Sequence, residues 1–122
     1  MKRIYFDYAA TTPVDPRVIE AMKPYWNKVY GNPGSLHWCG QQASAAVFKA
    51  RQSIAQSLGC HYSEIVFTGS ATEANNLALR GAVQAWRTTH QGTPRIIISA
   101  IEHESVTETT RDLEREGVEV AY

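Results

Sequence analysis

Apolar residues recur at helical spacing in four stretches of the chain. Val18, Ile19, Met22, Trp26 and Val29 fall on one face of a helix that Asp15-Pro16 starts, since Asp caps well and Pro suits the first helical position. Pro24 lies inside this pattern and predicts a kink or an early end. From about Gln41 to Leu58 the positions Ala43, Val47, Ala50, Ile54 and Leu58 keep the same period, and Gly59 is a natural stop. A third helix is predicted from Ala71 to about Thr88, with Ala74, Leu77, Ala78, Ala82, Ala85 and Trp86 turned inward. The last runs from Ser105 to Glu116, with a capping box formed by Ser105 and Glu108.

Short apolar runs separate these helices. Ile4–Phe6 and Glu64–Phe67 read as strands. Arg95–Ser99 contains Ile-Ile-Ile, a β-branched run expected to be buried on both faces, and Val118–Tyr122 begins another strand. Tyr30–Leu36, punctuated by two glycines and a proline, is a loop. From Glu64 onward the order is β-α-β-α-β, which predicts an α/β fold with a mainly parallel sheet. The sheet is incomplete in this chain, and three such strands leave apolar edges and faces bare. Alone, the chain is expected to associate or fold poorly.

Charge narrows the partners. Twelve basic residues balance twelve acidic ones with no basic stripe, so nucleic acid and anionic membranes are not expected as partners. No apolar run approaches the ~18 residues of a membrane span. The start, MKRIYFDYAATTP, lacks the apolar core of a secretory signal, and a cytoplasmic location is expected. Cys39 and Cys60 form no CxxC pair. Each has one nearby histidine, His37 and His61, which is too few ligands for a metal site, and none is expected.

The stretch FTGSATEANN carries the first candidate chemistry. Gly69 permits a tight turn and close approach of a ligand, and Ser70, Ala71 and Thr72 bring the free N–H groups of a helix start. Such a start holds anions, and the Thr72 hydroxyl adds a donor. Ser70 and Glu73 also read as a capping box, which would satisfy the same amides internally. His103 follows a strand after a short bend. There it either stacks on a flat ligand and passes protons, or simply faces solvent at a helix start. The segment DYAATTP, residues 7–13, suits either a loop covering a ligand or an ordinary N-terminal arm.

Taken together, YFDYAATTPVDPRV, GNPGSLH, KARQSIAQSLG, EIVFTGSATEANNLAL, and EHESV before LEREGVEV resemble the N-terminal third of the cysteine desulfurases. These enzymes belong to the class V aminotransferase group of pyridoxal-phosphate enzymes, and the opening is most similar to the NifS/IscS type. The resemblance implies the large domain of an aspartate aminotransferase-like, fold type I enzyme. Residues 1–15 would form an arm of the small domain, and residues 16–122 the first part of the cofactor-binding domain. It further implies that Ala71 and Thr72 bind the phosphate of pyridoxal 5′-phosphate and that His103 stacks on its ring and helps move protons. Ala10, Thr11 and Asn32 would lie near the entrance. This chain reads Gly-Ser-Ala-Thr at 69–72 where the family often reads Ser-Gly-Ala-Thr, which leaves Ala71 and Thr72 in register.

The implied reaction converts L-cysteine to L-alanine and an enzyme persulfide. The sulfur then passes to an acceptor such as an iron–sulfur scaffold or a tRNA-thiolation protein, and the family forms homodimers. The Schiff-base lysine of the family sits in a Ser-x-His-Lys segment. Lys2, Lys23, Lys28 and Lys49 have no such context, and Cys39 and Cys60 do not match the persulfide position. The 122-residue chain is therefore expected to be inactive alone. A selenocysteine lyase or related class V enzyme, and a non-catalytic remnant binding a phosphate ligand or partner chain, are the alternatives.

Overall fold

The computed structural model describes residues 3–122 and divides into two compact units, 1–65 and 66–122. Lys2 and the first residue of the predicted arm lie outside the described residues.

In the first unit, α1 (Pro16–Met22) is capped by Asp15, whose carboxylate accepts the Arg17 N–H at 2.8 Å. Pro24 ends that helix and starts the short α2 (Pro24–Asn27), because proline cannot continue the hydrogen-bond ladder. The long α3 (Trp38–Leu58) begins three residues before the expected Gln41. His37 is extended there, and its Nδ1 accepts the Gly40 N–H at 3.4 Å, so an imidazole does the capping. Gly59 ends α3 at φ 68°, the left-handed conformation that favours glycine. Of the predicted inward stripe only Ala43 is buried; Val47 and Ile54 are partly exposed and Leu58 is 69% exposed. The buried positions are Cys39, Gly40, Ala43 and Ala55, small residues that let other backbone come close. A Cβ on Gly40 would collide with the Ser35 carbonyl, and one on Gly31 with the Cys39 carbonyl, so these glycines fix the packing of the 30–36 loop on the start of α3.

Two expected strands do not form. Ile4–Phe6 pairs with nothing among the described residues; the chain turns instead, with the Ala10 N–H donating to the Asp7 carbonyl at 3.1 Å. Glu64–Phe67 is not a strand either. A single 3-10 turn, Tyr62–Glu64, ends at Glu64, and the Arg51 guanidinium donates to the Ile65 carbonyl. An apolar run becomes a strand only where another strand supplies its ladder, and none does so here.

The second unit is α4 (Ala71–Thr89), β1 (Arg95–Ile97), α5 (Glu104–Arg115) and β2 (Glu119–Ala121). The two strands are parallel, in the register Arg95↔Glu119, Ile96↔Val120, Ile97↔Ala121, with α5 as the crossover. The α/β class and the parallel pairing are as expected. The turn after α5 uses Gly117 at φ 85°, and the Val118 N–H donates back to the Leu113 carbonyl at 2.9 Å. Val83, Leu113 and Val118 form the buried cluster, with Leu79, Ile96 and Val120 packed on it. Burial of such a side chain stabilises by about 1.5–3 kcal/mol.

Two face assignments need correction. The buried side of α4 carries Asn75, Leu79, Val83 and Trp86, whereas Leu77 is 52% exposed and Ala78, Ala82 and Ala85 are also exposed. The reason is polar pairing toward α5: Asn75 bonds Ser105, and Arg80 bonds Asp112 at 2.9 Å, so two polar residues lie on the packed face. The Ile-Ile-Ile run is covered on one face only. Ile96 faces the cluster, while Ile97, opposite by strand alternation, is 77% exposed.

Candidate functional site

The site grows from two helix starts in the second unit. Ser70 caps α4: it is extended, and its Oγ accepts the Glu73 N–H at 3.2 Å. The Glu73 carboxylate turns back and accepts the Gly69 N–H at 2.8 Å. The capping box read from the sequence therefore forms only in its first half: Ser70 caps the Glu73 amide, but the carboxylate reaches the Gly69 N–H rather than that of Ser70, so the two bonds consume only the Gly69 and Glu73 amides. Among the described residues, the N–H groups of Ala71 and Thr72 have no acceptor, as expected of first-turn amides that no cap reaches.

The second start belongs to α5, and here the cap is His103, not Ser105. Its Nδ1 accepts the Ser105 N–H at 3.0 Å, and the Ser105 hydroxyl lies 3.0 Å from the same nitrogen. The reason is backbone geometry: His103 is extended while Ser105 is already helical and buried, so only the imidazole can reach the open amides. From α4, the Asn75 side-chain amide donates to Ser105 Oγ at 2.8 Å.

Thr72 and His103 line one cleft of about 360 Å³, with Asn76, Glu104, Ser105 and Glu108 among its other walls. Asn76 donates to the Thr72 carbonyl at 3.0 Å, holding the first turn of α4. The acidic rim is largely compensated: Asp112 pairs with Arg80 and with Arg115, and Glu108 pairs with Arg111. Glu104 stands in the first turn of α5, at the positive end of its dipole. Asn75 and Asn76 were not singled out in the sequence, and Ser105 was read there only as a helix cap. The signal for the asparagines is their spacing, three and four residues after Thr72 and hence one turn further along the helix.

The remaining candidates lie in the first unit. Ala10 and Thr11 are exposed in the turn over Asp7, where the Tyr5 hydroxyl donates to the carbonyls of Asp7 and Thr11. Asn32 is exposed and accepts the Gly34 N–H at 2.9 Å, shaping its own loop. Cys39 is buried, Cys60 half-buried, and both are free. Among the described residues no cluster of three His, Cys, Asp or Glu side chains is arranged to hold a metal, and no helix is long and apolar enough to cross a membrane.

Tested against a phosphate-bearing cofactor, the donor set fits. It offers open amides at Ala71 and Thr72, a neighbouring hydroxyl and a helix dipole, and Thr72 shares its cleft with the His103 imidazole.

Comparison with known proteins places the chain. Residues 4–122 match the family described as Aminotransferase class-V. A mitosomal cysteine desulfurase of Encephalitozoon cuniculi is 49% identical over 122 residues, covering 99% of this chain and 28% of that protein. The cysteine desulfurase IscS of Neisseria meningitidis is 48% identical over 120 residues, covering 98% of this chain and 29% of that protein. Among solved structures, a NifS-like protein superposes with a TM-score of 0.89 at 40% identity, over 99% of this chain and 32% of that one. SspA in complex with cysteine superposes with a TM-score of 0.85 at 42% identity, over 97% and 33%. The chain spans less than a third of the length of these curated relatives.

Proposed function

The chain belongs to the class V aminotransferase family, and from that premise we propose that it is the N-terminal portion of a cysteine desulfurase dependent on pyridoxal 5′-phosphate. The observation that carries this reading is the joint cleft. Thr72 and His103, far apart in sequence, stand at the starts of two neighbouring helices and line one space beside open amide donors. The relatives named cysteine desulfurase, and the neighbour solved with cysteine, support L-cysteine as substrate.

In this reading the amides of Ala71 and Thr72, with the Thr72 hydroxyl, hold the phosphate. His103 contacts the ring and holds a proton at Nε2. When bound, the cofactor supplies an electron-poor ring that accepts negative charge from the substrate Cα. Ala10, Thr11 and Asn32 serve the entrance. Residues 1–15 belong to the small domain and 16–122 to the cofactor domain. The products are L-alanine and a persulfide, whose sulfur goes to an iron–sulfur scaffold or a tRNA-thiolation protein. The working form is a cytoplasmic homodimer. The lysine that anchors the cofactor and the persulfide cysteine come from outside these 122 residues, so the isolated chain does not turn over.

The test follows alanine release from L-cysteine, and cofactor retention on dialysis, in the full polypeptide carrying this chain. Thr72→Ala is expected to weaken retention by about 10-fold, the loss of one charge-assisted hydrogen bond. His103→Ala is expected to lower turnover with retention less affected. Absence of alanine formation by the unmodified protein, or unchanged retention and rate in both variants, overturns the proposal.

A further inference from the structure

We infer that Asn75 and Ser105 are positioning residues that set which nitrogen of His103 carries the proton. This rests on the proposed role of His103. Two other histidines also cap helical turns through Nδ1, His37 for α3 and His61 for the 3-10 turn. His61 even shares the His-x-Ser spacing, with the Ser63 N–H and hydroxyl on its Nδ1. What separates His103 is the third member. Ser105 is buried, and its oxygen accepts from Asn75 on the helix whose first turn bears Thr72.

The polarity of this chain of bonds follows from the groups themselves. An asparagine NH₂ only donates, so Ser105 Oγ is an acceptor toward Asn75, and its own proton is free to point at His103 Nδ1. The Ser105 amide also donates to Nδ1. With two donors directed at it, Nδ1 is the acceptor of the neutral ring, and the proton lies on Nε2. Nε2 has no partner among the described residues and is the nitrogen left for a bound group. Asn75 thereby ties the orientation of the imidazole to α4, so the phosphate-side turn and the ring-side base are set by one bond between two helices.

The experiment reads the tautomer directly, by ¹⁵N-detected histidine NMR of the full polypeptide without cofactor, above the pH at which the ring titrates. The unmodified protein is expected to show His103 as the Nε2–H form. Asn75→Asp is nearly isosteric but only accepts, so it draws the Ser105 proton away from Nδ1, and a several-fold rise in the Nδ1–H fraction is expected. Ser105→Ala should shift the same way, and Ser105→Thr, which keeps a hydroxyl, should restore the original signature. In the loaded enzyme Asn75→Asp should lower kcat by roughly 10-fold with little change in KM, a part of the ~10²–10⁴-fold a placed proton-transfer group contributes. An Nδ1–H ring in the unmodified protein, or a tautomer unmoved by Asn75→Asp and Ser105→Ala, overturns the inference. Failure of the cofactor reading appears separately, as a protein that shows the tautomer shift but does not bind pyridoxal 5′-phosphate.

Discussion

The Glu73 carboxylate accepts the Gly69 N–H at 2.8 Å while the amides that lie between the two residues, Ala71 and Thr72, stay open. A carboxylate at the positive end of α4 stabilises that end, yet it repels any anion bound there. Glu73→Gln keeps an acceptor for Gly69 and removes the charge. Phosphate and pyridoxal 5′-phosphate should then bind about 2- to 5-fold more tightly at low salt, the equivalent of roughly 0.3–1 kcal/mol. The gain should fade toward 1 M salt, where the screening length falls to about 3 Å. Titration calorimetry at two salt concentrations measures both. Equal affinities of the two proteins at low salt would remove Ala71 and Thr72 from the anion site.

Stability in the second unit rests on very few side chains. Leu113 is 2% exposed and packs with Val83 and Val118, the other buried members of the cluster. Leu113→Ala should cost about 2–5 kcal/mol in the full polypeptide, because so small a cluster has little material to collapse into the cavity. Ile97→Ala, at a position 77% exposed here, should stay within about 0.5 kcal/mol if that face is also open in the full polypeptide. Denaturant midpoints of the two variants give the comparison. A large loss at Ile97 would mean that residues beyond this chain cover the strand.

The helices were legible because each carries punctuation that acts locally. Asp15-Pro16, Pro24 and Gly59 restrict φ or supply a cap without help from distant residues, and all three stand where the sequence put them. The strands were less legible. EIVF and IYF have the composition of strands, but a ladder is a property of two segments, and only 95–97 found its partner in 119–121. The start of α5 was misread for a different reason. Ser105 and Glu108 satisfy a local rule, whereas His103 wins because it is the residue still extended at the bend. The pairing of Thr72 with His103 could be anticipated from a helix start and a histidine that each follow an apolar run. Asn75 could not, since its bond to Ser105 spans 30 positions and nothing near either residue announces it.

The cap of α1 should respond to acid. The Arg17 side chain holds the Asp15 carboxyl below the usual carboxylate range, donating from Nε at 3.1 Å and Nη2 at 2.8 Å, and the Arg17 backbone N–H adds to the effect. A folded-state value lower than the unfolded value of about 3.9 means that the contribution to stability is present in full above that pH. It is lost as the pH falls through the lowered folded value, because the protonated carboxyl no longer pairs with the guanidinium. The site is open to solvent, so the consequence is local fraying of Pro16–Met22 rather than global unfolding. Arg17→Met should raise the Asp15 midpoint toward the ordinary value, and Asp15→Asn should keep the cap while removing its dependence on pH. Carboxyl-carbon NMR of Asp15, with amide exchange along α1, reads both effects. A midpoint that Arg17→Met leaves unmoved would show that the guanidinium does not set the charge of this cap.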